Sequence, residues 1–257
     1  MTRRAAMVGL LMAGWPVLRW YGLRLHDGSD EPLGLVAVAA ALVFAPRSGW
    51  REALSRRSFY ALMALLVAYA AAYAWLPALG RAVLVVLMLG IVVAPRRLGL
   101  AWTALLLLSL PVLASLQFYF GYPLRVPTTH LSAGLLRLCG ISAHAEGTTL
   151  LWAGERVIVD APCSGIQMAW AGAFLAAVLA CWQRLPTSAT LRLFRWAGAI
   201  VFAANVVRSA ALFCLGAGLW HLPPWAHEGL GVAAFAMAAG LIGLMATRRQ
   251  NSVPCAS

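Results

Sequence analysis

The sequence contains no lysine, and charged residues of any kind are scarce in it. All twenty basic residues are arginines, eight residues are acidic, and charged residues make up 11% of the 257 positions. Hydrophobic residues make up 62%, whereas soluble domains contain about 45–50%. A chain with so few polar residues cannot cover a water-soluble fold of this length, so we expect most of its surface to face lipid.

Cysteines are also few, and their spacing is irregular. They stand at positions 139, 163, 181, 214 and 255, which matches neither a zinc site nor a disulfide framework. We therefore expect no metal and no cofactor. Nucleic acid is not an expected partner, because the net charge of +12 comes from short arginine clusters between apolar runs. That distribution is typical of membrane topology.

Long apolar runs predict an all-α fold, a polytopic bundle of about eight transmembrane helices. We expect a single integral-membrane domain over residues 1–257, with five spans in 1–119, an extracytoplasmic segment at 120–162 and a three-span core at 163–247. The predicted spans are residues 5–22, 33–46, 58–77, 80–95, 98–119, 164–183, 196–218 and 228–247.

The arginines predict the orientation of these spans. With a cytoplasmic N-terminus, thirteen of the twenty arginines lie in cytoplasmic segments, whereas seven of the eight acidic residues and all five histidines lie outside. The positive-inside rule favours this arrangement. We therefore expect a multi-pass protein of the cell inner membrane, with both termini cytoplasmic. Any functional site near the polar residues described below is expected to face the extracytoplasmic side.

The extracytoplasmic segment is expected to hold two small elements. Residues 130–139 predict a short amphipathic helix on the membrane surface. In TTLLWAGERVIVD, two β-prone runs flank Ala153-Gly154-Glu155, which predicts a small hairpin before the sixth span.

A polar stretch, Asp160-Ala-Pro-Cys-Ser-Gly165, leads into the sixth span. Cysteine is a nucleophile as the thiolate, and its pKa falls at a helix N-terminus or beside a histidinium or an arginine. Cys163 stands where the free N–H groups of that helix should lie. Pro162 stiffens the start of the helix, and Gly165 leaves room for a substrate backbone. Asp160 either orients a catalytic group or caps the helix.

The next two spans each carry a polar residue of interest. Arg208 lies inside the seventh span, where a charge is costly unless it faces the bundle interior or a water-filled cavity. Asn205 lies one turn earlier on the same face. His227 begins the eighth span. Because successive spans alternate in direction, Cys163 and His227 share the outer boundary, and Arg208 lies about one to three turns below it. His227 could then act as general base and acid, and Arg208 could stabilise a thiolate or an oxyanion.

Each of these residues also has a simpler interpretation. A lone cysteine at a helix end is usually structural, and His221 is close enough to rival His227. An intramembrane arginine could serve a transporter or channel, although the sequence lacks the inverted repeats typical of many transporters. The protein could also be a non-catalytic assembly subunit for polysaccharide export. The grouping of Cys163, Arg208 and His227 would then be a coincidence. The Asp27–Glu31 loop is most simply exposed.

Three motifs occur in order at successive spans: Pro162-Cys163-Ser164-Gly165, Asn205-Val-Val-Arg208 and His227-Glu-Gly-Leu-Gly231. With the upstream Glu146-Gly147, the hairpin and the multi-span N-terminal half, they resemble the exosortase/archaeosortase family of integral-membrane cysteine proteases or transpeptidases. The resemblance covers most of the chain. Two departures bear on the recognition motif: Pro162 replaces a common alanine, and Gln167-Met168 stand where an arginine is common.

The resemblance implies a reaction and a substrate. Cys163 would be the nucleophile, with Arg208 and His227 as catalytic partners. The implied partners are the lipid bilayer and the C-terminal sorting signals of exported proteins. Such a signal has a short motif (often Pro-Glu-Pro), a membrane helix and a basic tail. The cleaved protein would pass to a surface acceptor, a polysaccharide or a lipid. Substrate binding or support of the site is expected of Asn205, Ser164, Gly165 and Asp160.

Overall fold

The computed structural model describes residues 1–26, 33–45, 50–93, 99–159, 164–223 and 225–247. Three predicted features lie outside these residues: the nucleophile Cys163, the preceding Asp160 to Pro162, and the loop Asp27–Glu31. The described part of the chain is mostly helical, with ten α-helices and one small three-stranded sheet.

The helices vary widely in length. They are α1 (Arg3–Ala13), α2 (Trp15–His26), α3 (Leu33–Val43), α4 (Arg56–Ala72), α5 (Ala78–Val93), α6 (Gly99–Leu108), α7 (Leu113–Leu138), α8 (Ile166–Trp182), α9 (Thr187–Gly216) and α10 (Ala226–Thr247). Among the described residues, α9 and α10 are each long and apolar enough to cross a membrane, and α6 and α7 together would count as a third span. Shorter apolar helices accompany them, namely α3, α5 and α8. The total of eight spans stays a prediction.

One compact unit consists of Met1–Val112 together with Ala177–Leu191. Helix α5 contacts α1, α2, α4 and α6 in this unit, and α6 also contacts α3. Buried α5 side chains such as Val85, Met88 and Val92 supply much of its core. The indole N–H of Trp102 donates to the Ala41 carbonyl at 2.8 Å, which ties α6 to α3.

The first predicted span, residues 5–22, is divided into α1 and α2 at Gly14. The Gly14 N–H donates to the Leu10 carbonyl at 2.8 Å and closes α1. Pro16 follows in the first turn of α2, where a missing N–H costs little. The continuous apolar run hides this break, because hydrophobicity alone does not report helix ends.

The other compact unit consists of Leu113–Ala176 together with Arg192–Ser257. Two predicted bounds near its start are wrong. The predicted span 98–119 breaks between Leu108 and Leu113, where Pro111 cannot continue α6, and the predicted surface helix 130–139 is instead the end of α7. Helix α7 continues through two prolines, and nearby side chains donate to carbonyls four residues earlier: Arg125, Thr128 and Thr129.

The predicted hairpin is confirmed and is part of a larger sheet. Strands β2 (Thr149–Trp152) and β3 (Glu155–Ile158) pair antiparallel, with Leu151 opposite Arg156. Ala153 and Gly154 have φ of 50° and 89°, as the tight turn of a two-residue hairpin requires. Strand β1 (His144–Glu146), which was not predicted, pairs antiparallel with β2. Buried residues tie the sheet to α7 and α9: Ala133, Leu136, Ala143, Leu150, Val159, Ala210, Phe213 and Cys214.

Candidate functional site

The start of α8 is fixed by the side chain of Ser164, the residue after Cys163. Ser164 is only 4% exposed. Its hydroxyl donates to Oε1 of Gln117 on α7 at 2.9 Å and accepts from the Ile166 N–H at 3.4 Å. A serine hydroxyl that accepts a backbone N–H at a helix start is a capping group. Ser164 thus forms a hydrogen-bonded connection between α7 and α8, and its supporting role in the site stays a prediction.

Gly165 brings the same part of the chain against α9. Its φ is +78°, a conformation that favours glycine. A Cβ at this position would lie 2.8 Å from Cγ and Nδ2 of Asn205, and Asn205 is 1% exposed. The close approach that requires glycine here is thus to the Asn205 carboxamide, and the room that Gly165 would leave for a substrate backbone stays a prediction. This contact joins two residues that the sequence placed at one site.

Arg208 lies on the same face of α9, three residues after Asn205. Its side chain is half-buried, and its Nε is inaccessible to solvent. No hydrogen-bond acceptor for this Nε lies among the residues that the structure describes. A buried donor without an acceptor costs about 1–3 kcal/mol, and more when the group is charged. An oxyanion or another negatively charged group would satisfy such a donor, and the predicted role of Arg208 in stabilising one stays a prediction.

Helix α10 meets this guanidinium at a glycine. A Cβ on Gly231 would lie 3.3 Å from Arg208 Nε and 3.7 Å from its Cζ. His227 lies four residues before Gly231 on α10, and residues four apart share a helix face. His227 is exposed and stands in the first turn of the helix. His221, its rival in the sequence, lies instead in the segment between α9 and α10.

The contacts thus bring together most of the predicted site residues. Ser164 and Gly165 at the start of α8 meet α7 and α9, and Arg208 on α9 meets α10 one turn from His227. Cys163 and Asp160 are outside the described residues, so their positions in this arrangement stay predictions. Across the described ranges, no three His, Cys, Asp or Glu side chains come together in a group that could hold a metal ion.

Two polar residues of α7 were missed from the sequence. Gln117 accepts the Ser164 hydroxyl hydrogen bond, and Arg125 Nη1 donates to the Val159 carbonyl at 3.4 Å. The guanidinium of Arg125 also lies 6.0 Å from the ring centre of Tyr122. A glutamine inside a predicted span was the available signal for Gln117. Arg125 was missed because Pro123 and Pro127, which flank it, argued against a helix in this part of the sequence.

An apolar groove lies near these residues but does not contain them. Its volume is about 720 Å³, and side chains of α7 and α9 line it. The lining residues are Leu131, Gly134, Leu135, Arg137, Leu138, Phe202, Ala203, Val206 and Val207. The groove thus occupies the α7 side of α9, and neither Arg208 nor His227 lines it.

Long apolar helices, one of which carries a half-buried arginine, are features of an integral membrane protein. Comparison with known families agrees: the transmembrane exosortase family (Exosortase_EpsH) matches residues 4–244. The chain therefore belongs to this family, as its motifs predicted, and is a multi-pass integral membrane protein. Members of the family are generally cysteine-type transpeptidases that act on sorting signals. Neither a curated protein nor a solved structure matches the chain.

Proposed function

We propose that this protein is a cysteine protease/transpeptidase that cleaves C-terminal sorting signals of exported proteins at the outer face of the cell inner membrane. The observation that carries the proposal is the buried Nε of Arg208, which has no acceptor among the described residues and lies against Gly231. His227 is one turn from that glycine. The same α9 face contacts Gly165, two residues after Cys163.

The proposed reaction begins with the Cys163 thiolate, which attacks the carbonyl carbon of the scissile peptide bond. The carbonyl oxygen becomes an oxyanion, and the Arg208 guanidinium stabilises it. His227 takes the thiol proton and later gives a proton to the leaving amine. The amine departs with the membrane helix and the basic tail of the signal, and a thioester remains on Cys163.

The second half of the reaction releases the protein. A nucleophile attacks the thioester carbonyl, the same oxyanion site serves again, and the thiolate of Cys163 leaves. Water as the nucleophile gives hydrolysis, and an amine or hydroxyl of a surface polysaccharide or lipid gives transpeptidation or ester transfer. Arg208 supports both halves because both pass through a tetrahedral oxyanion.

The proposed site must lie at the outer surface, because the substrate has already been exported. We propose that both termini are cytoplasmic and that residues 120–162 are outside, as the arginine distribution predicts. A sorting signal with a basic tail follows the same rule, since its tail stays inside. Its motif then reaches the outer boundary, where Cys163 and His227 are expected.

Replacement of Cys163 tests the proposal. The reporter is an exported protein that ends in a Pro-Glu-Pro motif, a membrane helix and a basic tail, and its shortening is followed on gels. Cys163→Ala should abolish processing, and Cys163→Ser should not rescue it, because a hydroxyl is a far weaker nucleophile than a thiolate at neutral pH.

The matched control is Cys181→Ala. Cys181 is a buried cysteine of α8, the helix that follows Cys163, and it has no proposed role in the chemistry. This variant should process the reporter as the wild type does. Normal processing by Cys163→Ala would show that the enzyme mechanism is wrong.

A further inference from the structure

Helix α7 holds the chain on both sides of the segment that contains Cys163. Before that segment, Arg125 Nη1 donates to the carbonyl of Val159 at 3.4 Å. After it, Gln117 Oε1 accepts from the hydroxyl of Ser164 at 2.9 Å. The two α7 residues are eight apart, which corresponds to about 12 Å along a helix. Val159 and Ser164, the residues on either side of positions 160–163, are therefore both hydrogen-bonded to one helix.

The Gln117 anchor is well defined. Its carboxamide lies over Gly121, where a Cβ would come 2.9 Å from Nε2. A larger residue at 121 would displace the glutamine, so this glycine makes room for it. The Ser164 hydroxyl is buried and also accepts from the Ile166 N–H. The Ser164 hydroxyl thus connects α8 to α7 as a hydrogen-bond donor, and its oxygen caps α8 as an acceptor.

Asn205 completes the anchoring from the other side. Gly165 cannot move toward α9, because the Asn205 carboxamide occupies the space next to its Cα. The backbone at Ser164 and Gly165 is therefore confined by α7 and by α9. Cys163 immediately precedes this confined pair in the sequence.

We propose that Gln117 is a positioning residue for the nucleophile, acting through the Ser164 hydroxyl and not by contact with the reacting atoms. The inference rests on the proposed function of Cys163. Its physical content is orientation: an activated thiolate attacks efficiently only when it is held about 3–3.5 Å from the carbonyl carbon and aligned with it. Loss of the Gln117–Ser164 hydrogen bond should therefore lower kcat and leave KM near its wild-type value.

Two variants of similar length separate the hydrogen bond from the volume of the side chain. Gln117→Met fills the same space but has no oxygen acceptor, whereas Gln117→Glu keeps one. Gln117→Met should lower kcat by about 10- to 100-fold, the loss expected from a small misplacement of reacting groups. Gln117→Glu, measured on the pH plateau of the reaction, should recover most of the activity.

Ser164→Ala removes the same hydrogen bond from its other end, and it keeps the test open if Gln117→Met does not fold. The kcat of the double variant Gln117→Met/Ser164→Ala should be no lower than that of the less active single variant, because both changes remove the same hydrogen bond. The matched control is Ser132→Ala. Ser132 is another buried α7 serine, and its hydroxyl donates to the Val206 carbonyl of α9 at 3.0 Å. Its loss should leave kcat close to that of the wild type.

A second readout separates positioning from activation of the thiol. The alkylation rate of Cys163 by iodoacetamide is followed against pH by peptide mass spectrometry, in detergent and without substrate. Gln117→Met should leave the midpoint of this profile unchanged, because its effect is on direction and not on charge. A shifted midpoint would overturn the positioning role, since it would show an effect on ionisation.

The remaining outcomes distinguish this inference from the proposed function. Wild-type kcat in Gln117→Met, with Cys163→Ala inactive, would overturn the positioning role alone. An equal loss of kcat in Ser132→Ala would overturn it as well, because the loss of any side-chain hydrogen bond of α7 would then be enough to lower kcat. Processing by Cys163→Ala would instead refute the proposed function itself.

Discussion

Arg208 offers the sharpest test of the mechanism, because a charge within a membrane helix requires a physical reason. Its Nε is buried without an acceptor among the described residues, and Gly231 approaches it closely enough to shape its position. We expect Arg208→Ala to abolish processing almost completely. Arg208→Lys should lose most activity, because lysine keeps the charge but lacks the planar fork of five donors.

Two contributions set the expected size of the loss. Removal of one oxyanion donor costs about 10²–10³ in rate. The second contribution is to the thiolate, because a guanidinium in the same site favours the ionised form of a cysteine and so lowers its pKa. At neutral pH the two effects act together, and above the thiol's titration range only the first should remain.

The contacts around α9 connect Arg208 with the residues that follow Cys163 in the sequence. Asn205 touches Gly165, which is two residues after Cys163, and Arg208 follows Asn205 by three residues, about 4.5 Å of helix rise. Gly231→Ala offers a milder perturbation of the same charge. Its Cβ would lie 3.3 Å from Arg208 Nε, so the guanidinium must shift by a few tenths of an ångström.

The assay is the alkylation rate of Cys163 against pH, for the wild type, Arg208→Ala and His227→Ala in detergent. The midpoint should rise in Arg208→Ala, because loss of a nearby cation disfavours the thiolate. Arg195→Ala is the matched control, since Arg195 is an exposed arginine of the same helix. An unchanged profile in both Arg208→Ala and His227→Ala would show that the three residues do not form one site.

Two further predictions concern the fold and the topology. Gly165→Ala should destabilise the protein in thermal unfolding by roughly 1–3 kcal/mol, because the φ of residue 165 is +78° and a Cβ there would meet Asn205 at 2.8 Å. The control is Gly198→Ala on α9, since a Cβ at that position would meet nothing within 4 Å. Equal melting temperatures of the two variants would contradict the contact between Gly165 and Asn205. Reporter fusions at residues 140 and 250 should show an outer and a cytoplasmic location respectively, and outer activity at 250 would exclude the eight-span topology.

The regular part of the fold could be predicted from hydrophobicity. The predicted spans 33–46, 80–95, 164–183 and 228–247 agree with α3, α5, α8 and α10 to within a few residues. The hairpin was predictable because strand-forming runs flank a short turn. Strand β1 was not, since its three residues carry too little pattern to distinguish them from a loop.

Helix α7 shows where such prediction fails. Pro123 and Pro127 each remove a backbone donor, which ordinarily ends or kinks a helix. The structure keeps the helix and adds side-chain hydrogen bonds from Thr128 and Thr129 to carbonyls of the preceding turn. Such compensation depends on tertiary contacts. The Gln117–Ser164 hydrogen bond was invisible for a related reason, because it joins residues 47 positions apart.

The expected grouping of Asn205, Arg208 and the two neighbouring helices has a simple basis in one face of α9. Val201, Asn205 and Arg208 are spaced i, i+4 and i+7, which places them along one side of a helix. Each meets a glycine of a neighbouring helix or its start: Gly172 for Val201, Gly165 for Asn205 and Gly231 for Arg208. The order of the first two contacts shows that α8 runs antiparallel to α9.

The character of that face changes along the helix, from an apolar side chain at Val201 through an amide at Asn205 to a cation at Arg208. In lipid no hydrophobic force drives helices together, so their association depends on close van der Waals packing and hydrogen bonds. Small residues at the interface allow that close approach. At Gly172 the approach is tightest, since a Cβ would lie 2.6 Å from Val201 Cγ2. The glycines thus let backbone approach the polar residues directly, and side chains at those positions would separate the helices on which the site depends.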